Sequence, residues 1–443
     1  MVAKAGHRGS AVKDLDGMKI VVQGLWHLGC VTAACSAQHF DVAGLDFDAA
    51  NVASLNLGQA PIFEPGLNEL IAVGSTAKML SFTTDAKTAC ANADLLWLCY
   101  DTPVNEKDES DVNLVLTNLR RALVHLPKGA LVLISSQLPV GTCAKFEKEF
   151  PKFYFACSPE NLRLGKAIDA FEKAARVIVG VRDDTKKPLL EKLFAPFTQQ
   201  VIFMRVESAE MVKHALNSFL AMSITFINEI AGLCEHVGAD AKEVSSGLKS
   251  EPRIGPRAYL GAGGPFAGGT LARDVVTLTK LAKAQHEKLS VIPAIKQSND
   301  WHRGWAFRRL KLRLGELRGK KIAVLGLTYT TNTDTLRRSA SVELCKQLLK
   351  AGAKVIALDP AVKSLPKYLS EISLVADATA LSGSGAAVVC TEWPQFRQVD
   401  WPKIVPTMKQ PVFVDANRFL EEQLRSISGV EQFSVGGKLN YFR

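Results

Sequence analysis

MKIVVQGLWHLGCVTAACSAQHFDVAGLD, residues 18–46, sets the fold class. Residues 18–23 are an apolar run of strand length, the pattern of a strand covered on both faces of a parallel sheet. Residues 24–29, Gly-Leu-Trp-His-Leu-Gly, predict a tight turn, residues 30–38 a helix and residues 41–46 the next strand. Asp46 stands 22 residues past Gly24, so strand, glycine turn, helix, strand and acid follow one another as in a dinucleotide-binding unit. Gly24 allows the turn, and Gly29 lets helix and strand pack closely. The backbone of Trp26, His27 and Leu28 offers N–H groups to a pyrophosphate. Asp46 would accept hydrogen bonds from an adenosine ribose and repel a 2′-phosphate, which favours NAD over NADP. Trp26 holds the place of the fingerprint's second glycine. The alternative is therefore a doubly wound sheet whose crevice takes another ligand.

Outward from this unit the same pattern continues. Residues 94–100 (DLLWLCY), 130–135 (ALVLIS) and 153–156 (FYFA) read as further strands. Past their carboxyl ends lie Asp101-Thr102-Pro103, residues 136–142 (SQLPVGT) and Ser158-Pro159-Glu160, at the place where open α/β sheets gather ligands. Residues 208–236 (SAEMVKHALNSFLAMSITFINEIAGLCEH) contain no Pro and predict one helix with Ser208 as its N-cap. At 1.5 Å per residue it would run roughly 43 Å, a spine between two lobes covered by protein on both sides. Lys213 and Asn217, four apart, share a face. Either they aim into a cleft, or Lys213 snorkels and Asn217 caps a loop.

Residues 260–274 (LGAGGPFAGGTLARD) follow the helix and carry five glycines within 261–269, a loop whose backbone can meet a ligand directly, or else a hinge. Residues 319–327 (GKKIAVLGL) open a second strand–turn–helix unit, with a helix at 339–351 and strands at 354–359, 386–390 and 411–414. The expectation is an α/β chain of two Rossmann-like doubly wound lobes, joined by a long central helix and a helical middle domain. Its boundaries are a loose tail at 1–17, a first lobe at 18–204, the helical middle at 205–310 and a second lobe at 311–443.

Composition narrows the partners. Among 443 residues, 54 Lys and Arg against 44 Asp and Glu leave a net charge of +10, which favours anionic ligands. The basic residues are scattered and not interleaved with aromatics, which argues against nucleic acid and for a phosphorylated small molecule. No run of about 18 uninterrupted apolar residues predicts a membrane span. Nine cysteines stand singly, without a CxxC pair, as in a cytoplasmic protein without structural zinc or other metal.

The order of motifs resembles the UDP-glucose/GDP-mannose dehydrogenase family over residues 18–430 or so. Residues 55–67 (LNLGQAPIFEPGL), 139–142 (PVGT), 209–213 (AEMVK) with Asn217, and 226–229 (FINE) carry the likeness. So do residues 253–255 (RIG), 266–274, and Gly326-Leu327 through Asp334 and Arg337. The resemblance implies an NAD-binding lobe, a helical middle and a nucleotide-sugar-binding lobe, and a homodimer through the central helix. The implied reaction is oxidation of a sugar C6 alcohol to a carboxylate in two hydride transfers, with a cysteine holding the aldehyde as thiohemiacetal and then thioester. Lys213 then matches the oxyanion-stabilising Lys, Asn217 the Asn that helps hold water, and Asp274 and Glu160 the site carboxylates. Thr102 and Pro103 match the cofactor loop. Arg253, Tyr259, Gly263, Phe266, Gly268, Arg273 and Arg337 fall on the substrate side, and Arg253 matches an Arg that can reach a neighbouring subunit's ligand.

Several positions depart from that pattern. Thr270 replaces the cysteine, Arg273 a Lys, Leu164 a Glu, Gln137 a Thr, Thr330 a Lys, and Asp101 the glycine before Thr102-Pro103. A thiol with pKa about 8.5 is partly thiolate at neutral pH, whereas a threonine hydroxyl needs an adjacent base, and no His stands near Thr270 in sequence. The second oxidation is therefore not expected, while the first requires only NAD, a placed alcohol and a base such as Lys213. The leading expectation is a single two-electron oxidation on a nucleotide sugar. The alternatives are the full four-electron reaction with another nucleophile such as Cys157, and a non-catalytic nucleotide-sugar binder.

Overall fold

The computed structural model describes residues 17–102, 111–160, 162–266 and 270–437, so the expected N-terminal tail lies outside the described residues but for Gly17. Its first sheet contains β1 (Lys19–Gln23), β2 (Asp41–Leu45), β3 (Leu80–Thr83) and β4 (Leu95–Leu98). β5 (Leu131–Ile134), β6 (Tyr154–Cys157), β7 (Val177–Val181) and β8 (Val201–Met204) complete it. The order is β3-β2-β1-β4-β5-β6-β7-β8, with only the β6–β7 pair antiparallel. Alternation of side chains explains the buried apolar runs. Ile20 and Val22 pack in one layer with Cys30 and Val31 of the helix His27–Ser36, and Val21 packs in the other with Leu119. Gln23 pairs with Leu45 and with Leu98, so the chain leaves β1, β2 and β4 at the same edge. That edge carries Gly24, Asp46 and Asp101.

The central helix runs Val206–Val237, 32 residues or roughly 48 Å. It begins two residues before the expected start, so Ser208 is an exposed residue of its first turn and not its cap. The expectation that protein covers both sides needs a second correction. Phe219, Phe226 and Leu233, at steps of seven, are 60%, 47% and 63% exposed, and Val237 continues the stripe at 76%. Among the described residues this is the helix long and apolar enough to cross a membrane by length and composition. Its buried positions nevertheless join protein cores: Val206 and Ala209 one, Ala221 a second, Ala231 and Cys234 a third. Two compact units meet in sequence within this helix, between Lys213 and His214.

In the second unit, helices Ala241–Ser250, Leu271–Ala284, Val291–Arg303 and Trp305–Leu314 make up the helical middle. The second sheet follows, with β9 (Lys321–Leu325), β10 (Lys354–Leu358), β11 (Ser373–Val375), β12 (Ala386–Val389), β13 (Val412–Asp415) and β14 (Glu431–Phe433). Its order, β11-β10-β9-β12-β13-β14, repeats that of the first six strands, and every pair is parallel. The repeat extends to atoms. Gly24 (φ +95°) and Gly326 (φ +89°) both turn in the left-handed region. Leu25 N donates to an Asp46 carboxylate oxygen at 2.6 Å, and Leu327 N to an Asp359 carboxylate oxygen at 2.6 Å. The sequences of the two lobes do not display this kinship, but the backbone does.

Candidate active site

The glycine turn of the first unit leaves no room for other residues. A Cβ on Gly24 would lie 2.6 Å from the Tyr100 ring and 2.8 Å from Tyr100 N, and one on Gly29 would lie 1.7 Å from the Gly24 carbonyl oxygen. Turn, helix start and the end of β4 are thus in van der Waals contact, the cradle that a dinucleotide needs. Asp46 sits beside it through Leu25 N, and Asn51 Nδ2 holds the Leu25 carbonyl at 2.6 Å. Trp26 occupies the cap position without a side-chain cap bond, and the residue is 45% exposed. Leu28 N, in the first turn, donates to an Asp101 carboxylate oxygen at 3.0 Å.

His27 turns inward. Its Nε2 is 2.8 Å from Glu64, whose carboxylate also accepts Gly165 N at 2.8 Å and Ala167 N at 2.9 Å. Burial opposes the imidazolium, but the Glu64 hydrogen bond and the charges of Asp101, Glu64 and Glu160 outweigh it, so His27 titrates above its ordinary value. Burial likewise opposes the Glu64 charge, while His27 and the two backbone donors pull its pKa down. Thr102, buried, donates its hydroxyl to the Gln137 carbonyl at 2.9 Å and ties the β4 loop to the β5 loop. Pro103 lies outside the described residues.

Lys213 and Glu160 come together in the same unit. Lys213 Nζ donates to the Glu160 backbone carbonyl at 2.6 Å and stands 3.6 Å from its carboxylate. One turn earlier, buried Glu210 accepts Gly141 N at 2.6 Å and Cys143 N at 3.0 Å, capping the helix Thr142–Glu149 from outside. Glu210 of AEMVK thus caps the helix that PVGT opens.

In the second unit Asp274, fully buried, is held at both oxygens. His214 Nδ1 is 2.7 Å from one, and Asn217 Nδ2 donates to the other at 2.5 Å. Thr270 is exposed at the start of the helix Leu271–Ala284, without a side-chain cap bond. Nearby a cavity of about 580 Å³ is lined by Tyr259, Gly263, Phe266, His302, Tyr329 and Asn417 among others. Its glycine loop is not a loose hinge over residues 263–266. Gly263 N donates to Asn228 Oδ1 at 2.9 Å and Gly264 N to Asn417 Oδ1 at 2.7 Å. His302 Nε2 meets the Gly263 carbonyl at 2.7 Å, and Asn299 pairs with both backbone groups of Phe266. Burial, with help from Arg308, holds the His302 pKa below its ordinary value. Burial raises the Tyr329 hydroxyl, and the charges of Arg338 and Arg273 oppose that rise, which sets Arg273 near the cavity wall. Gly268 lies outside the described residues.

Three expected substrate residues, Arg253, Arg273 and Arg337, do not line the cavity. Arg253 is exposed and paired with Glu251 at 2.8 Å, and Arg337 is exposed. Cys157, the alternative nucleophile, lies in the core, where burial, then Glu210, push its thiol pKa up. The other cysteines are buried, save half-buried Cys390. Sequence reading missed His214, which lies three positions before Asn217 and so on the same face, a signal that was available. It gave no site role to Glu64, Glu210, Asn228, His302 or Asn417, whose partners lie far off in sequence. Among the described residues no group of three or more His, Cys, Asp or Glu is placed to hold a metal ion.

Comparison with known proteins gives the same reading. Residues 18–198 match the NAD binding domain of the UDP-glucose/GDP-mannose dehydrogenase family, residues 207–301 its central domain and residues 323–422 its UDP binding domain. UDP-glucose 6-dehydrogenase of Rhizobium meliloti (strain 1021) is 33% identical over 435 residues, 95% of this chain and 99% of the relative. A UDP-glucose dehydrogenase from Pyrobaculum islandicum superposes with a TM-score of 0.86 at 28% identity, covering 97% of this chain and 100% of the other. The UDP-D-ManNAc dehydrogenase of Pyrococcus horikoshii gives 0.83 at 25% identity, covering 95% and 99%.

Proposed function

This chain belongs to the UDP-glucose/GDP-mannose dehydrogenase family, and from that premise we propose that it performs a single two-electron oxidation of an alcohol on a nucleotide-activated sugar. Its family is that of NAD-dependent nucleotide-sugar dehydrogenases, and NAD is its cofactor. Gly24, Gly29 and Asp46 would hold the adenosine half, and NAD supplies the hydride acceptor. The cavity beside Tyr259, Gly263 and Phe266 takes the nucleotide. Lys213 is the group that takes the hydroxyl proton while the carbon gives up hydride to the nicotinamide, leaving an aldehyde at C6 or a ring ketone. Glu160 positions that amine through its carbonyl oxygen.

The observation that carries the one-step reading is Thr270. A hydroxyl exposed at a helix start, without a side-chain cap bond, is a poor trap for an aldehyde without a base. Asp274 in turn has both oxygens engaged by side chains, which supports a clamp more than a water-activating role. Arg253, its side chain 87% exposed, is available to a neighbouring subunit, and the stripe Phe219, Phe226, Leu233 is the face along which two copies pair. Unpaired cysteines suit a cytoplasmic setting. The test is stoichiometric: the purified protein with NAD and a panel of UDP- and GDP-sugars should yield one NADH per sugar and a carbonyl product. Two NADH and a uronate would refute it.

A further inference from the structure

We propose that Asp101 occupies the anion position at the start of the helix His27–Ser36 and thereby sets a low affinity for NAD. Helix starts present N–H groups that lack intrahelical partners and favour negative charge. Here the cap residue, Trp26, contributes no side-chain bond, and the chain supplies its own carboxylate instead. Leu28 N donates to Asp101 Oδ2 at 3.0 Å. In this fold the same first turn receives the dinucleotide's pyrophosphate. A carboxylate and a pyrophosphate cannot share one N–H group, and side by side they repel.

The surroundings sharpen the point. Gly24 and Gly29 keep the turn as tight as a dinucleotide needs, so the cradle is built and its anion seat is taken. The Asp101 charge reaches the helix interior, where it raises the pKa of His27 and, secondarily to burial, of Cys30. Asp101 itself is exposed on the loop that leaves β4, so it can swing out when the pyrophosphate arrives. Each binding event must displace it. The residue acts on affinity through competition, and it touches no reacting atom.

This inference rests on the reading of the first unit as the NAD-binding unit, and the test separates the two. NAD is titrated calorimetrically into the full-length protein, into Asp101→Gly and into Asp101→Asn. Asn keeps an acceptor for Leu28 N while losing the charge, so it guards against a glycine variant that fails to fold. The expected result is NAD binding about tenfold tighter in Asp101→Gly, with a smaller gain in Asp101→Asn, the scale of one charge at a helix start. Without ligand, Asp101→Gly should melt lower than the parent, because the helix loses its external cap. A purely structural role predicts weaker binding in both variants, and equal or weaker binding overturns the proposal while leaving NAD binding intact. Absence of NAD binding in all three proteins overturns the proposal and the cofactor assignment together.

Discussion

Lys213 and Asn217 stand four apart on one helix, yet their side chains serve different partners: Glu160 for the first, Asp274 for the second. Helical spacing showed that they share a face, and no more than that. What each touches depends on a loop and a helix that arrive from 53 and 57 residues away. The same holds for His27 and Glu64, 37 apart, whose pairing no local pattern announces. That pair makes a testable contribution to pH-dependent stability. His27 titrates above its ordinary 6.5, so its share is present below pH 6.5 and is lost as pH rises through its folded value. Glu64 titrates below its ordinary 4.5, so its share is present above pH 4.5 and is lost as pH falls through its folded value. Both shares are therefore present between these limits. In thermal or urea melts His27→Gln should cost about 2 kcal/mol near pH 6, and the gap to the parent should narrow on going alkaline. A constant gap from pH 5.5 to 9 would contradict the assignment.

At the scale of elements, most apolar runs were legible, but β7 (VIVGV) and β8 (VIFM) were not read as strands, nor were the short edge strands. β1, β2, β4, β5 and β6 of the first sheet and β9, β10, β12 and β13 of the second stand where continuous Val, Ile, Leu and Ala runs predict them. β3, β11 and β14, of three or four residues, lie at or toward sheet edges, where tertiary pairing decides and sequence pattern is weak. The central helix was legible as a helix but not in its surroundings. Apolar content suggested cover on both sides, whereas Phe219, Phe226 and Leu233 form an exposed stripe, the face proposed above for pairing of two copies. Placing a charge there tests the pairing. Phe226→Glu, alone or with Phe219→Glu, should shift the protein to monomer in light scattering at micromolar concentration, at a cost of about 2 kcal/mol or more per buried aromatic. An unchanged dimer would move the interface elsewhere, and a monomeric parent would remove it.

For the whole molecule, each unit carries its own ligand apparatus, which can be mapped separately. Hydrogen exchange with NAD present should slow amides around residues 24–29, and UDP should slow those around residues 259–266, each without the other ligand. Protection of the second segment by NAD alone would reverse that division of labour. The sequence resemblance already named both apparatuses, because glycine turns and ligand loops leave short, dense signatures. The supporting Asn and Glu residues are single letters whose meaning comes from distant loops.

The twice-used plan ends in a divergence of purpose. Asp46 has Leu25 N and Asp48 N for company and stays at a rim, whereas Asp359 accepts from Leu327 N, Thr328 N, the Thr328 hydroxyl and the Trp393 indole. An acid so enclosed has become a keystone. The same turn-and-acid plan thus leaves a rim carboxylate open to a ligand in the first lobe and spends its counterpart on holding the second lobe's own turn together.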